Sequence, residues 1–201
     1  MATELELKLA VPSPAVLEQI LFDKELAQIR QGGYRLLDMA TVYYDTPERT
    51  LSQKWWTLRL RQENDRLVAT VKTPAGGPGK ARNEWECDAP TIEAALPLLV
   101  EQGAPAELPE CLPLVPLCAA QFTRREAELA FADGTVCTLC GDVGMLAGRE
   151  KQEALCEVEL ELKAGDFETV EAFGKELCER FGLKEEPRSK FARAAALAVA
   201  E

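Results

Sequence analysis

The sequence predicts an α+β domain in which an antiparallel sheet of about eight strands carries three or four helices. Three observations predict it. Apolar and charged residues alternate in segment after segment, from ELELK at 4–8 to EVELELK at 157–163, and side chains two apart share one face of a strand. The segments are joined by short polar links, among them ENDR at 63–66 and the Asp133–Gly134 pair, which favour hairpins. Helical spacing is confined to a few stretches with Pro, Ser or Gly at their ends.

In chain order, residues 3–10 alternate as a strand with Glu4, Glu6 and Lys8 on one face and Leu5, Leu7 and Leu9 on the other. Ser13 as N-cap and Pro14 at the first position then start a helix, expected to run to about Gln31 and to stop at Gly32 and Gly33. Strands are expected at 36–44, 55–62, 67–73 and 83–89, a helix at 91–102, and a Pro-rich connector at 103–116. A second hairpin pairs 121–131 with 135–143. A strand at 155–163 leads into helices at 166–181 and 188–200.

With 201 residues, 47% of them hydrophobic, the chain is read as one domain, 1–201, with a full core. No apolar run approaches the roughly 18 residues of a membrane span, and no basic segment followed by an apolar one opens the chain, so a cytoplasmic protein without anchor or signal peptide is expected. The seven cysteines read as reduced thiols. Cys137 and Cys140 of the CTLC stretch point to opposite faces of a strand, which disfavours a redox or zinc pair.

The absence of histidine excludes Ser-His-Asp and Cys-His nucleophiles and every His-ligated metal, and leaves carboxylates as metal ligands. Oxygen ligands select magnesium or manganese. A net charge of −11 argues against a surface that coats nucleic acid, though not against a local basic pocket.

At least six strands carry a charged face: Glu4, Glu6 and Lys8; Arg59 and Arg61; Lys72; Arg82, Glu84 and Glu86; Arg124, Glu126 and Glu128; Asp142; Glu157, Glu159 and Glu161. One reading is a two-layer sheet whose polar side is solvated. The other closes the sheet into a barrel of about eight strands, apolar rows outward under the helices and charged rows inward. Arg59 and Arg61, about 6.7 Å apart along a strand, repel by roughly 2.5 kcal/mol at an effective dielectric of 20, so an anion between them would relieve the pair. An enclosed space with Arg and Lys on one side and Glu on the other fits a polyanion held with a divalent metal.

ELELK at 4–8, LRLR at 58–61, TVK ending at Lys72, RNEWE at 82–86, DVG at 142–144, EVELE at 157–161 and SK at 189–190 together resemble the CYTH superfamily, the triphosphate tunnel metalloenzymes, and most resemble its bacterial inorganic triphosphatases. The resemblance implies a closed eight-stranded antiparallel barrel that binds a triphosphate and hydrolyses it with magnesium or manganese. By position it makes Glu4, Glu6, Asp142, Glu157, Glu159 and Glu161 metal ligands; Lys8, Arg59, Arg61, Lys72, Arg82, Arg124 and Lys190 phosphate ligands; and Glu4, Glu6, Lys8 and Glu159 the catalytic set. The adjacent arginines of FTRRE leave Arg124 rather than Arg125 as the inward one by spacing alone. Some bacterial members carry a helical histidine-rich domain after this one, and this chain ends without it. A small-molecule substrate is implied, with no nucleic acid or membrane partner, as monomer or homodimer.

GGPGK at 76–80 is read as a loop rather than a phosphate-binding Walker motif, because Pro74 replaces the first glycine and Ala81 the Ser or Thr. Three other functions stay open: a class IV adenylate cyclase, a thiamine triphosphatase using Trp55 or Trp56 as a stacking surface, and a non-catalytic polyphosphate-binding module.

Overall fold

The computed structural model describes residues 2–3, 5–75 and 82–199. Its strands are β1 (Ala2–Thr3), β2 (Glu6–Ala10), β3 (Arg30–Asp45), β4 (Thr57–Glu63), β5 (Arg66–Pro74), β6 (Arg82–Asp88), β7 (Val115–Ala130), β8 (Val136–Gly148), β9 (Lys151–Ala164) and β10 (Lys184–Glu185). All belong to one antiparallel sheet in the order β1-β6-β5-β4-β3-β7-β8-β9-β2-β10. The helices are α1 (Pro14–Leu21), α2 (Leu26–Ile29), α3 (Thr50–Gln53), α4 (Ile92–Glu101), α5 (Phe167–Phe181) and α6 (Lys190–Val199).

This order corrects the closed eight-stranded barrel expected from the sequence. It is linear, with ten strands and two edges, whereas a barrel needs a ladder on both sides of every strand. The N-terminal segment shows why. Ala2 and Thr3 pair with Glu84 and Asn83 of β6, while Glu6–Ala10 pair with 157–161 of β9, so no described residue of the segment joins both neighbours. β1, at one end of the order, and β2, next to the last strand at the other, are nevertheless carried by one short stretch of chain. The open sheet therefore curls, and the charged faces of β4, β5 and β6 look across at β2 and β9.

The first helix is also shorter than expected. The Ser13 hydroxyl accepts from the Val16 amide at 3.3 Å, as a capped start requires, but α1 ends at Leu21. The Asp23 carboxylate then caps α2 by accepting from the amides of Glu25 and Leu26, and β3 begins at Arg30. Gly32, at φ +71°, sits in a register irregularity of β3 rather than at a helix end.

Alternation sorts the side chains into two cores. Outward, Leu9, Leu139 and Leu160 pack under Leu17, Ile20 and Leu177 of α1 and α5, and Leu58, Val71 and Ala69 under Ile92, Leu96 and Leu99 of α4. Inward, Met39, Tyr43, Phe122 and Leu146 receive Ala194 and Ala198 of α6. Phe122 and Arg124 share a strand face, so α6 lies on the concave side and its first turn borders the charged region.

Gly144 lies opposite Phe122 in the β7–β8 ladder. A Cβ there would meet the Gln121 carbonyl oxygen at 2.1 Å and the Phe122 Cα at 2.5 Å. Gly144→Ala is therefore expected to cost about 3 kcal/mol, at the upper end for an overpacked site; an unchanged thermal midpoint would show that the strands part freely.

Candidate functional site

The concave side encloses a pocket of about 160 Å³ whose lining includes Lys8 from β2, Arg59 and Arg61 from β4, Lys72 from β5, Arg82 from β6, Arg124 from β7 and Lys190 from α6. Every cation that the resemblance made a phosphate ligand is thus in one place. Among the described residues the acidic lining is Glu6 and Glu159. Tyr43, Thr57, Thr70, Ser189 and Phe191 complete the wall.

The basic side is only partly compensated. Arg59 and Lys72 both approach Glu84, at 3.7 and 3.3 Å. Arg61 donates from Nε to the Thr41 hydroxyl at 3.0 Å and stands 3.7 Å from Glu63. Arg82 donates to the carbonyls of Trp55 and Lys72. Arg59 Nε and Thr70 Oγ1 are buried with no hydrogen-bond partner among the described residues, a costly state for polar atoms. Burial first, then the neighbouring Arg59 charge, pushes Arg61 down to about 10.

The acidic side is the reverse. Carboxylate oxygens of Asp142, Glu157 and Glu159 lie within 4.8 Å of one another. Arg124 grips Asp142 with Nε and Nη2, both at 2.8 Å, and also reaches Glu159. Lys190 stands 2.7 Å from Asp142, 2.5 Å from Glu157 and 2.9 Å from Glu159, and Lys8 is 3.1 Å from Glu159 and 3.0 Å from Glu6. Burial favours a neutral Glu159, but Lys190, Lys8 and Arg124 together hold its carboxyl well below the usual range. Glu157 is pushed up by burial, which Lys190 only partly offsets. Burial opposes the charge of Lys8 and of Lys190, yet their carboxylate partners outweigh it and raise both.

Glu4 lies outside the described residues, as does the GGPGK stretch at 76–80. Glu6 and Glu159 face the pocket, whereas Asp142 and Glu157 are wholly buried behind it. Glu161 is off the pocket wall and pairs with Lys163 at 2.7 Å. Arg125 points outward to Glu18 of α1. Trp55 is exposed, and Trp56 is buried in the core beneath α4.

Sequence reasoning missed Arg193, which bonds Glu157 at 2.8 Å and Glu153 at 2.7 Å. Its signal was present: it follows Lys190 by three residues, the spacing of one helix face. As a donor set, Asp142, Glu157, Glu159 and Glu6 offer only carboxylate oxygens, which fits a hard divalent cation. Three convergent buried carboxylates that could hold a metal ion thus stand beside a wall of cations, among them Arg59 with its unsatisfied Nε.

A CYTH domain match spans residues 2–195, and the chain belongs to that family. An inorganic triphosphatase of Haemophilus influenzae is 28% identical over 172 residues, covering 85% of this chain and 48% of the relative. The chain thus spans about half the length of that curated relative. Among solved structures, a putative adenylyl cyclase from Hippeastrum with a dominant triphosphatase activity superposes with a TM-score of 0.60 at 19% identity, covering 96% of this chain and 95% of that one. A putative adenylate cyclase from Bacillus halodurans gives 0.58 at 17%, with coverages of 96% and 98%. These two likenesses concern the fold. No described helix is long and apolar enough to cross a membrane.

Proposed function

We propose that this protein is a metal-dependent phosphoanhydride hydrolase that cleaves inorganic triphosphate to pyrophosphate and phosphate. The observation that carries the reading is the gathering of seven cations around one small pocket, three of them buried, where Arg59 Nε and Thr70 Oγ1 lack partners among the described residues. A bound polyanion would satisfy both atoms and relieve the repulsion between Arg59 and Arg61. The triphosphatase identity of the Haemophilus influenzae relative supports the choice of reaction.

In this reading Lys8, Arg59, Arg61, Lys72, Arg82, Arg124 and Lys190 bind and orient the phosphate chain. Phosphoryl transfer needs positioning and charge stabilisation rather than a covalent nucleophile, which suits a site without histidine. Glu6 and Glu159 would hold magnesium or manganese, with Asp142, Glu157 and Glu161 as the further carboxylates, and Glu4 is proposed with them from its sequence position. The ion would neutralise charge on the phosphate oxygens. Glu6 orients the attacking water through the carboxylate that Lys8 holds. Arg124, locked by Asp142 and Glu159, offers its remaining donor to the substrate without having to be reordered.

The test is phosphate release from tripolyphosphate with magnesium or manganese, against chelator and against Glu6→Gln and Arg59→Ala. Turnover is expected only with metal, falling about 10²–10³-fold in Arg59→Ala. Full activity in both variants removes the assignment. Cyclic AMP formed from ATP would select the cyclase reaction, and tight tripolyphosphate binding without turnover under any divalent metal a binding module.

A further inference from the structure

Phe122, 4% exposed, lies on the concave side behind the cations that line the pocket; it opens the FTRRE stretch that carries Arg124, but has no part in the chemistry proposed so far. Three cations stand over its ring. Lys190 Nζ is 5.0 Å from the centroid, Arg124 Cζ 5.7 Å and Arg61 Cζ 5.9 Å. They come from α6, β7 and β4, and β4 is not a ladder neighbour of β7. The ring is therefore a point where three separately delivered charges meet one side chain.

An aromatic face is negative at its centre and attracts a cation within about 6 Å, more strongly where water is excluded. Arg124 and Lys190 also have carboxylates at hydrogen-bonding distance, but among the described residues Arg61 has none closer than Glu63 at 3.7 Å. The backbone is arranged to present this ring. Gly144, directly across the ladder, carries no side chain to compete for the same face.

We infer that the Phe122 ring is an electrostatic support beneath the pocket's cations that holds Arg61, Arg124 and Lys190 in place, which makes Phe122 a positioning residue for the phosphate-binding cations. The inference rests on the proposed triphosphatase for its link to turnover, but the ring–cation support is a property of the protein alone. Phe122→Leu keeps an apolar side chain but removes the π face. It is expected to lower kcat/KM for tripolyphosphate about tenfold or more, mainly through KM, as weakened support for three cations implies.

Because a leucine can also leave a packing defect, the decisive series replaces Phe122 with 4-fluoro-, 3,5-difluoro- and 3,4,5-trifluorophenylalanine in the full chain. Each fluorine draws charge from the ring face while making the ring more apolar. The melting temperature without substrate is expected to fall stepwise, by a few degrees in all, and kcat/KM to fall with it, about five- to tenfold by the third fluorine. A ring that only packs would leave the midpoint unchanged or raise it, which overturns the inference. A falling midpoint with flat kcat/KM overturns the positioning role. A wild-type protein that does not hydrolyse tripolyphosphate but shows the falling midpoint removes the proposed function and leaves the ring–cation support standing.

Discussion

Replacing Lys190 by Met is expected to cost about 3–5 kcal/mol of stability, the loss seen when one partner of a buried ion pair is removed, and to abolish triphosphate hydrolysis. Lys190 is buried and lies within 3 Å of carboxylates of Asp142, Glu157 and Glu159. Without it, three buried acids whose oxygens lie within 4.8 Å of one another retain, among the described residues, Arg124, Lys8 and Arg193. For a chain of this size the loss corresponds to a drop in melting temperature on the order of 10 °C.

The pH dependence of that loss separates the electrostatic explanation from simple loss of packing. In the parent protein Glu159 is held well below its ordinary value. Its contribution is therefore present above the unfolded carboxylate pKa of about 4.3 and fades as the pH falls. Glu157 is raised even with Lys190 beside it. In the variant Glu157, already raised, moves up further, so its neutral form is favoured and its contribution is fully present only below about 4.3 and lost as the pH rises, while Glu159 keeps Lys8 and Arg124 beside it. The stability deficit of Lys190→Met should accordingly shrink between pH 7 and about 5. Thermal melts of both proteins at the two pH values measure it; an equal deficit at each would mean that the lysine acts through its stem alone.

Arg61→Leu should have the opposite effect on stability and the same effect on turnover. Arg61 is as buried as Lys190, but its surroundings push it down to about 10, through burial and then through Arg59 and Arg124. Its charge is therefore a cost of the folded state at neutral pH. Leu removes that cost, while the Thr41 hydroxyl loses its guanidinium partner, worth about 1 kcal/mol. A net gain of about 1 kcal/mol, or roughly 2–4 °C in melting temperature, is expected, with activity lower by about 10²–10³-fold. The Phe122 ring offsets part of this cost, so a large loss of stability in Arg61→Leu would show that the ring and Glu63 together outweigh burial. Two buried cations on one pocket wall thus differ in sign: one holds the acids together, and the other waits for an anion.

The rows of charge were legible because alternation is a local property. Arg59 with Arg61, and Glu157 with Glu159, must share a face in any strand, and all the cations carried over by motif do line one pocket. The hairpin turns at 63–66 and Asp133–Gly134 were equally legible, since their residue types suit tight turns. The end of α1 was not. Gly32 and Gly33 look like a helix stop, but Asp23 opens a new cap nine residues earlier, and that hydrogen bond leaves only a weak trace in composition.

The residue pattern was enough to state an antiparallel sheet and the charged face of its strands, because these follow from backbone periodicity. Three-dimensional packing settled the rest. It left the sheet open, dividing the N-terminal segment between β6 and β9. It set Asp142 and Glu157 behind the pocket and Glu159 within it, and it brought Arg193 and the Phe122 ring up to the charged groups from a helix and a strand distant in sequence. Curl, burial and cross-element contacts arise from the simultaneous packing of distant segments, and no local period encodes them.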